Sequence, residues 1–392
     1  MLNITLFFEY FTEEHFGKDP FLVPYYLGKL LKCPVTIVYP QGSDNLKLPD
    51  EYKGVKLKPI PLRGTEKSPY RWRYLDFYIY LCRNAKKIDL LIRFFDISMS
   101  REMSMIYKML NPNGKFYIKM DVNPLRIDMG ETGSQALTKK LRGYLVSIAN
   151  NYVFKAVNAI SCETQLAYEK IRASKNERYN WGNKLVVMPN GFDEELLKSY
   201  NIEEKSFAEK ENIMITVGRL GTYPKNTEML LRSLSNINLG DWKFYLIGPV
   251  DDAFKTKAEA FFEENPERRK NVIFTGPIYN KKELWEYYNK SKVFVFTSEW
   301  ESFGLVLVEA KRFRNYLLTT PVGAAHDILE NGHFGNLLIN NDDEDLAGKL
   351  QQIIDGNTKI DVYEDFDPMS LSYEYLVKIV AEKLNITNDK AK

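Results

Sequence analysis

Cysteine is scarce in this chain. Its three cysteines, Cys33, Cys82 and Cys162, are scattered and odd in number, and no C-x-x-C spacing occurs. That pattern argues against a disulfide framework or a zinc site and points to a reducing cytosol. Long apolar runs are missing too. No stretch reaches about 18 uninterrupted apolar residues, the length of a membrane-spanning helix. The opening Met1-Leu-Asn-Ile-Thr-Leu-Phe-Phe-Glu9 has no basic residues and an apolar run of only strand length. It reads as neither a signal peptide nor a span. Neither G-x-G-x-x-G nor G-x-x-x-x-G-K-[ST] is present, which disfavours a Rossmann dehydrogenase and a P-loop NTPase. There are no internal repeats and no low-complexity segments.

What remains is an ordinary soluble composition, 44% hydrophobic and 27% charged over 392 residues. That length is enough for two domains, each with its own core. Charge is unevenly spread. Residues 1–190 carry 29 Lys and Arg against 18 Asp and Glu, a net +11, and the rest carries 25 against 34, a net −9. A basic half beside an acidic half suggests that one domain meets an anionic partner.

Strand-like apolar runs alternate with helical segments. The first half has Ile4–Phe8, Val35–Tyr39, Leu90–Phe94, Phe116–Met120, Ala159–Cys162 and Leu185–Met188. The second has Ile213–Val217, Phe244–Ile247, Val272–Phe274, Val293–Phe296, Tyr316–Thr319 and Asn336–Ile339. Several are continuous rather than alternating, as expected of strands buried on both faces of a parallel sheet. The fold class is therefore α/β, with two Rossmann-like, doubly wound domains. The boundary is placed at Pro189-Asn-Gly-Phe-Asp193, followed by a charged linker to about Lys210. Domain one is 1–190 plus a C-terminal amphipathic helix within 371–392, and domain two is 191–370.

The segment Glu301-Ser-Phe-Gly-Leu-Val-Leu-Val-Glu309 is the most informative. A buried helix is expected over Leu305–Ala310, with Glu309 inside it. A buried carboxylate is costly unless paired. Glu301 precedes the helix beside Ser302 and Gly304, whose backbone N–H groups make an anion site. Two hydroxyl acceptors beside a phosphate cradle suit a nucleotide-sugar. A second motif is Gly218-Arg219-Leu220 followed by Lys225-Asn226. It puts two cations at the carboxyl edge of a sheet, where open α/β folds bind ligands. A planar fork and a point charge together suit a diphosphate, and solvated loop cations are the plainer alternative. The acidic run Asp342-Asp-Glu-Asp345 precedes a helical pattern and is assigned to N-terminal capping rather than to metal binding.

Taken in order, Pro189-Asn-Gly-x-Asp193, Gly218-Arg219…Lys225-Asn226, Leu246-Ile-Gly248, Phe274-Thr-Gly276, Ser298…Glu301-Ser-Phe-Gly-Leu…Glu309-Ala310, Gly323 and Glu330-Asn-Gly332 resemble the retaining glycosyltransferases of family 4, the group 1 transferases. The resemblance covers about 185–355. It implies a GT-B fold, two Rossmann-like domains facing across a cleft, with the donor on the second domain and the acceptor on the first. By that resemblance Arg219 and Lys225 hold the donor diphosphate and neutralise the leaving nucleotide. Glu301 accepts from sugar hydroxyls, the backbone of Ser302, Phe303, Gly304 and Leu305 cradles sugar and phosphate, Glu309 accepts from ribose hydroxyls, and Gly276 and Ile278 lie near the base. The reaction implied is transfer with retention, with no metal and no cofactor, from a nucleotide diphosphate sugar (UDP-linked by preference).

The first domain carries less. Gly17, before the helical pattern from Pro20, sits where backbone could approach the donor phosphates, or is an ordinary turn glycine. His15 shares that loop and reads as a surface residue. Many family members place a His at the end of a middle first-domain strand. The matching stretch here is Lys119-Met-Asp121, so Asp121 is the acceptor-side candidate. His326, in the loop after Gly323, falls near where the sugar should sit, or simply packs its loop. Cations interleave with aromatics in Arg63-Gly-Thr-Glu-Lys-Ser-Pro-Tyr-Arg-Trp-Arg-Tyr74, and cations recur at Lys139-Lys-Leu-Arg142. Such patches can dock on an anionic bilayer or remain merely solvated. The expectation is a cytoplasmic enzyme of cell-surface glycan assembly, peripheral to the inner face of the membrane. Its acceptor is a glycan precursor, lipid-linked by preference, and nucleic acid is not a partner. A protein or small soluble acceptor, or a catalytically silent binding subunit, is the alternative.

Overall fold

The computed structural model describes residues 2–41, 48–94, 97–122, 127, 152–174 and 181–386. The chain divides into two compact units, Met1–Pro189 with Ser372–Lys392, and Asn190–Leu371. Each is a parallel sheet with helices on both faces, so each is α/β of the doubly wound kind.

In the first unit eight strands run in the order β3-β4-β2-β1-β5-β6-β7-β8. Their ranges are β1 Ile4–Phe7, β2 Val35–Gln41, β3 Glu51–Tyr52, β4 Val55–Pro61, β5 Leu90–Phe94, β6 Lys115–Lys119, β7 Ala159–Cys162 and β8 Leu185–Val187. All neighbours pair in parallel except β3 with β4. One face packs the Asp19–Leu31 helix and the C-terminal Tyr373–Leu384 helix. There Phe21, Leu27, Val377 and Val380 are fully buried, and Tyr26 stacks on Tyr373. The other face packs the Leu75–Asn84, Ile97–Leu110 and Gln165–Ala173 helices.

The second unit has six parallel strands in the order β11-β10-β9-β12-β13-β14. They are β9 Glu211–Val217, β10 Lys243–Ile247, β11 Val272–Gly276, β12 Ser291–Phe296, β13 Tyr316–Thr319 and β14 Gly335–Leu337. Central strands such as Phe294–Phe296 are buried on both faces. That explains their unbroken apolar sequences.

Two expectations need correction. Strands β3 and β4 are absent from the reading of apolar runs. In β4, Val55-Lys-Leu-Lys-Pro-Ile-Pro61, lysine and proline break the run, yet the burial alternates and Val55, Leu57 and Ile60 enter the core. The segment after Asp193 is not a solvated linker either. It forms the Glu194–Tyr200 helix, with Asp193 accepting from Leu196 N as its cap. Two of its charges, Glu194 and Lys210, are buried and matched. Arg312 holds Glu194 and Glu204 through paired hydrogen bonds, those to Glu204 at 2.8 and 2.9 Å. Lys210, also buried, donates to the carbonyls of Asn289, Ser291 and Phe313 at 2.8–2.9 Å.

Arg312 therefore ties this segment to the domain. Removing it strands a buried carboxylate, a change that typically costs about 3–5 kcal/mol. Arg312→Met is expected to lower the urea-unfolding free energy by about that amount. The Arg312 hydrogen bonds also hold the Glu204 carboxyl below its ordinary 4.5. Its stabilising share is present above that pH and is lost as pH falls through the folded value. Glu204→Gln should flatten the acid limb of a stability–pH profile, and an unchanged limb would contradict this account.

Candidate active site

In the second unit, β10 and β12 leave β9 on opposite sides, so the topological switch point lies between β9 and β12. Ligands of open α/β sheets bind outside the strand carboxyl ends at such a point. Gly218-Arg219 follows β9, and Ser298–Leu305 follows β12. Two hydrogen bonds pin these loops together, Glu299 N to Pro224 O at 2.9 Å and Thr297 Oγ1 to Lys225 O at 2.9 Å. The Tyr223–Lys225 turn then delivers Lys225, whose Nζ lies 2.6 Å from Glu301 Oε2. The Lys225 stem runs over Gly218, where a Cβ would sit 3.5 Å from it. Arg219 is exposed and has no side-chain partner among the described residues.

Close backbone approach builds the rest of this edge. Gly218 N donates to Ile247 O and Gly248 N to Gly276 O, both at 3.0 Å. Gly248 has φ +142°, and a Cβ there would sit 1.8 Å from Gly218 O. Gly323 is required for the same reason, since a Cβ would fall 2.5 Å from Phe303 O. That contact seats the Phe303-Gly304 turn, and Gly304, at φ 92°, caps the Leu305–Arg312 helix. Ser302 and Leu305 are half-buried around this turn, and Phe303 is buried.

Glu309 is 9% exposed, inside that helix as expected. Its burial is compensated within the domain rather than left to a ligand. Lys281 Nζ pairs with Oε1, and the Trp285 indole N–H donates to the same oxygen at 3.2 Å. Neither Lys281 nor Trp285 was expected from the sequence. The only available signal is their i, i+4 spacing on the Lys281–Lys290 helix, which follows the Gly276–Asn280 loop. Ile278 is half-buried in that loop.

The first unit carries Gly17 and Asp121. Gly17 is exposed, has no left-handed backbone, and a Cβ there would meet nothing within 4 Å. Nothing in its own unit requires a glycine. Asp121 is exposed just past β6. Two residues earlier lies an unexpected buried cluster. Lys119 Nζ is 2.6 Å from Glu163 Oε1 and 3.0 Å from Asp19 Oδ2. Burial alone would lower the Lys119 ammonium, but Asp19 and Glu163 outweigh it and hold it well above 10.5. Burial pushes the Glu163 carboxyl up, Lys119 pulling the other way. A second buried pair, Arg93 with Glu9, lies at the ends of β5 and β1.

His15 is structural. Its Nδ1 accepts from Thr12 N at 3.1 Å, and its ring stacks on Phe11. His326 and His333 are exposed. The acidic run acts as a cap, Asp342 Oδ1 accepting from Asp345 N at 2.9 Å. In the basic–aromatic segment, Arg63 is bidentate to Asp76 and Arg71 donates twice to Glu102, so two of its cations are neutralised. Trp72 remains 52% exposed. Lys139–Arg142 lies outside the described residues.

Residues 198–367 match the glycosyl transferases group 1 family. Among curated proteins, the chain is 30% identical to the amylovoran biosynthesis glycosyltransferase AmsD of Erwinia amylovora, over 40% of this chain and 42% of that one. It is 25% identical to the capsular polysaccharide biosynthesis glycosyltransferase CapM of Staphylococcus aureus, over 52% and 53%. It is 32% identical to an uncharacterized 41.2 kDa protein in the cps region of Klebsiella pneumoniae, over 42% and 41%. These matches span roughly half or less of each relative. Among solved structures, the lipopolysaccharide outer core galactosyltransferase WaaB superposes with TM-score 0.67 at 15% identity, over 98% of this chain and 99% of that one. Anabaena HepE in complex with UDP and glucose superposes with TM-score 0.60 at 14% identity, over 99% and 100%. At such identities the likeness is one of fold, and the fold is GT-B.

The glycine edge yields a prediction. Gly248→Ala forces Gly218 away and should destabilise by about 2 kcal/mol or more, as overpacking and backbone strain together do. Gly276→Ala meets open space and should cost only about 1–2 kcal/mol, the penalty of its left-handed backbone. Equal losses in urea melts would show that the close approach is not what the edge depends on.

Proposed function

We propose that this chain, whose residues 198–367 form a glycosyl transferases group 1 domain, is a glycosyltransferase of cell-surface polysaccharide assembly. It moves a sugar from a nucleotide diphosphate sugar to a glycan acceptor with retention at the anomeric carbon. The observation that carries this reading is the Lys225–Glu301 pair at the switch point of the second sheet, with Arg219, exposed and without a side-chain partner among the described residues, in the loop after β9. A carboxylate held by a lysine, with a guanidinium on the same sheet edge, supports a site offering acceptors to hydroxyls and donors to phosphate. UDP is the preferred carrier, supported by HepE, which was solved with UDP and glucose.

In this reading, Arg219 and Lys225 neutralise the diphosphate as the glycosidic C–O bond breaks, an electrostatic role worth most in a water-poor site. Glu301 accepts from donor hydroxyls and steadies a cation-like sugar. The N–H groups of the Phe303-Gly304 turn face the sugar phosphate. Asp121, beyond Lys119, is the acceptor-side carboxylate, and Gly17 leaves room for phosphate. Charge neutralisation is assigned to the two cations, with no metal in the scheme.

A lipid-linked acceptor, met at the inner face of a membrane, is supported by the basic surplus of residues 1–190 and by the exposed Trp72. The pairing of Arg63 and Arg71 with carboxylates favours a soluble acceptor instead. Vesicle flotation separates the two. Docking predicts that the protein floats with anionic but not neutral vesicles and that Trp72→Ala weakens this several-fold. No flotation leaves the soluble acceptor.

The direct test is nucleotide release from UDP-, GDP- and ADP-sugars, with and without a polyprenyl-diphosphate sugar. Release from one donor, reduced about a hundredfold or more by Glu301→Ala, is expected. Donor binding without release under any condition would favour the silent binding subunit, and neither binding nor release would remove the glycosyltransferase reading.

A further inference from the structure

The first sheet has a switch point of its own. Strand β2 lies on one side of β1 and β5 on the other, so the loops after β1 and β5 part there. Open α/β sheets bind ligands at such a place. Glu9 and Tyr10 follow β1, and Arg93 lies in β5. Arg93 donates to Glu9 Oε1 and to Phe7 O, the latter at 2.9 Å. The Tyr70 hydroxyl donates to the same Glu9 oxygen at 3.5 Å. Its neighbour Arg71 donates twice to Glu102 Oε1, at 2.9 and 2.7 Å. These bonds tie the short Tyr70–Arg73 helix to the end of β1 and to the Ile97–Leu110 helix.

Two polar atoms are left over. The Tyr78 hydroxyl oxygen and Glu102 Oε2 are buried and meet no hydrogen-bond partner among the described residues. They are neighbours. Burial, and after it the Glu102 carboxylate, pushes the pKa of the Tyr78 hydroxyl up to about 12, with Arg93, Arg71 and Glu9 also acting on it. A buried polar atom without a partner is costly and rare, and here a hydroxyl that can donate or accept stands beside a charged acceptor. Aromatic faces are exposed around them, Tyr10 at 59%, Tyr70 at 39% and Trp72 at 52%. Tyr10 and Glu9 both act on Tyr74, and the Tyr70 ring packs on Tyr74 at 4.6 Å between centres, so Tyr10 and Tyr70 share one surface. Aromatic rings around a small polar floor suit a hydroxylated ring, whose C–H faces lie on the rings while its hydroxyls reach the polar atoms. An anionic bilayer is the poorer fit, because Glu102 repels it and Arg63 and Arg71 are already paired.

Resting on the transferase reading above, we propose that Tyr78 and Glu102 form a sugar-binding subsite for the acceptor at the switch point of the first sheet. Sugar hydroxyls donate to Glu102 Oε2 and accept from the Tyr78 hydroxyl, and Arg71 positions Glu102 through Oε1. Acceptor recognition then extends to β1 and β5, in addition to Asp121 beyond β6, the next strand. The occupant is a neutral sugar, since an anionic one would set a second negative charge against Glu102.

The probes are the methyl glycosides of glucose, galactose and N-acetylglucosamine, titrated by saturation-transfer NMR against the whole chain, with and without UDP. The wild type is expected to bind at least one of them. Tyr78→Phe keeps the ring and removes the hydroxyl. It should weaken that binding about fivefold or more, the size of one hydrogen bond, at an unchanged melting temperature, because no bond within the protein is lost. In Glu102→Gln, Arg71 takes the amide oxygen and turns an NH2 group to where Oε2 was, so a loss at least as large is expected. A wild type that binds none of the three would overturn the proposal. So would affinity unchanged in both variants, which would leave the two atoms to water. Unchanged sugar binding with reduced flotation on anionic vesicles would assign the patch to a bilayer instead. Glycoside binding that needs Tyr78, in a protein that releases no nucleotide from any donor, would keep this site and remove only the transferase reading.

Discussion

A carboxylate taken out of water must find a counter-charge or several hydrogen bonds, and the cost of failing is several kcal/mol. Much of this structure is arranged around that requirement. Glu301 meets Lys225, Glu309 meets Lys281, Glu194 and Glu204 meet Arg312, and Glu163 meets Lys119. In each case the partner comes from a distant element. Each pair is therefore also a tertiary tie, made only when the strands and helices bearing it are in register. The pairs at the second sheet's carboxyl edge differ from Arg312 in one respect. They lie at the carboxyl ends of strands, whereas the buried Arg312–Glu194 contact ties the segment after Asp193 to the domain.

The sheets determine where the open pairs fall. A parallel strand points its carboxyl end, and the loop that follows, to one edge. Strand β9 has β10 on one side and β12 on the other, so the loops after β9 and β12 diverge and leave room between them. Glycines let the backbones touch at this edge, Gly248 against Gly218 and Gly323 against Phe303. Without that approach, Lys225 and Glu301 would be held on loops free to drift. Rigidity at the glycine edge is what turns two long flexible side chains into a fixed 2.6 Å contact.

Much of this was legible in the sequence because parallel strands buried on both faces write themselves as unbroken apolar runs. Twelve such runs became strands, and the two missed, β3 and β4, lie at a sheet edge where lysine and proline interrupt the pattern. Glu301, Glu309, Arg219 and Lys225 stood out because a charge inside or beside an apolar run is unusual enough to notice. Their partners did not stand out. Lys281 and Lys119 are lysines among 54 basic residues, and only the fold brings them to a carboxylate. The segment after Asp193 was misjudged for the same reason. Its composition is that of a charged linker, and only the three-dimensional match with Arg312 explains why Glu194 is buried in it.

The cations at the donor edge thus divide into two kinds. Arg219 is exposed and has no side-chain partner among the described residues, so its charge is available to an incoming anion. Lys225 and Lys281 are each committed to a carboxylate. An anion arriving beside Lys225 must share it with Glu301, and the sharing draws phosphate and carboxylate to one ammonium. In the proposed reading, that coupling would bring the sugar hydroxyls that Glu301 accepts and the phosphate to one edge. With two free lysines, the site would attract anions without orienting them. With two free glutamates, it would repel them. In the proposed reading, a cation without a partner among the described residues and two paired ones would attract a diphosphate and orient its sugar.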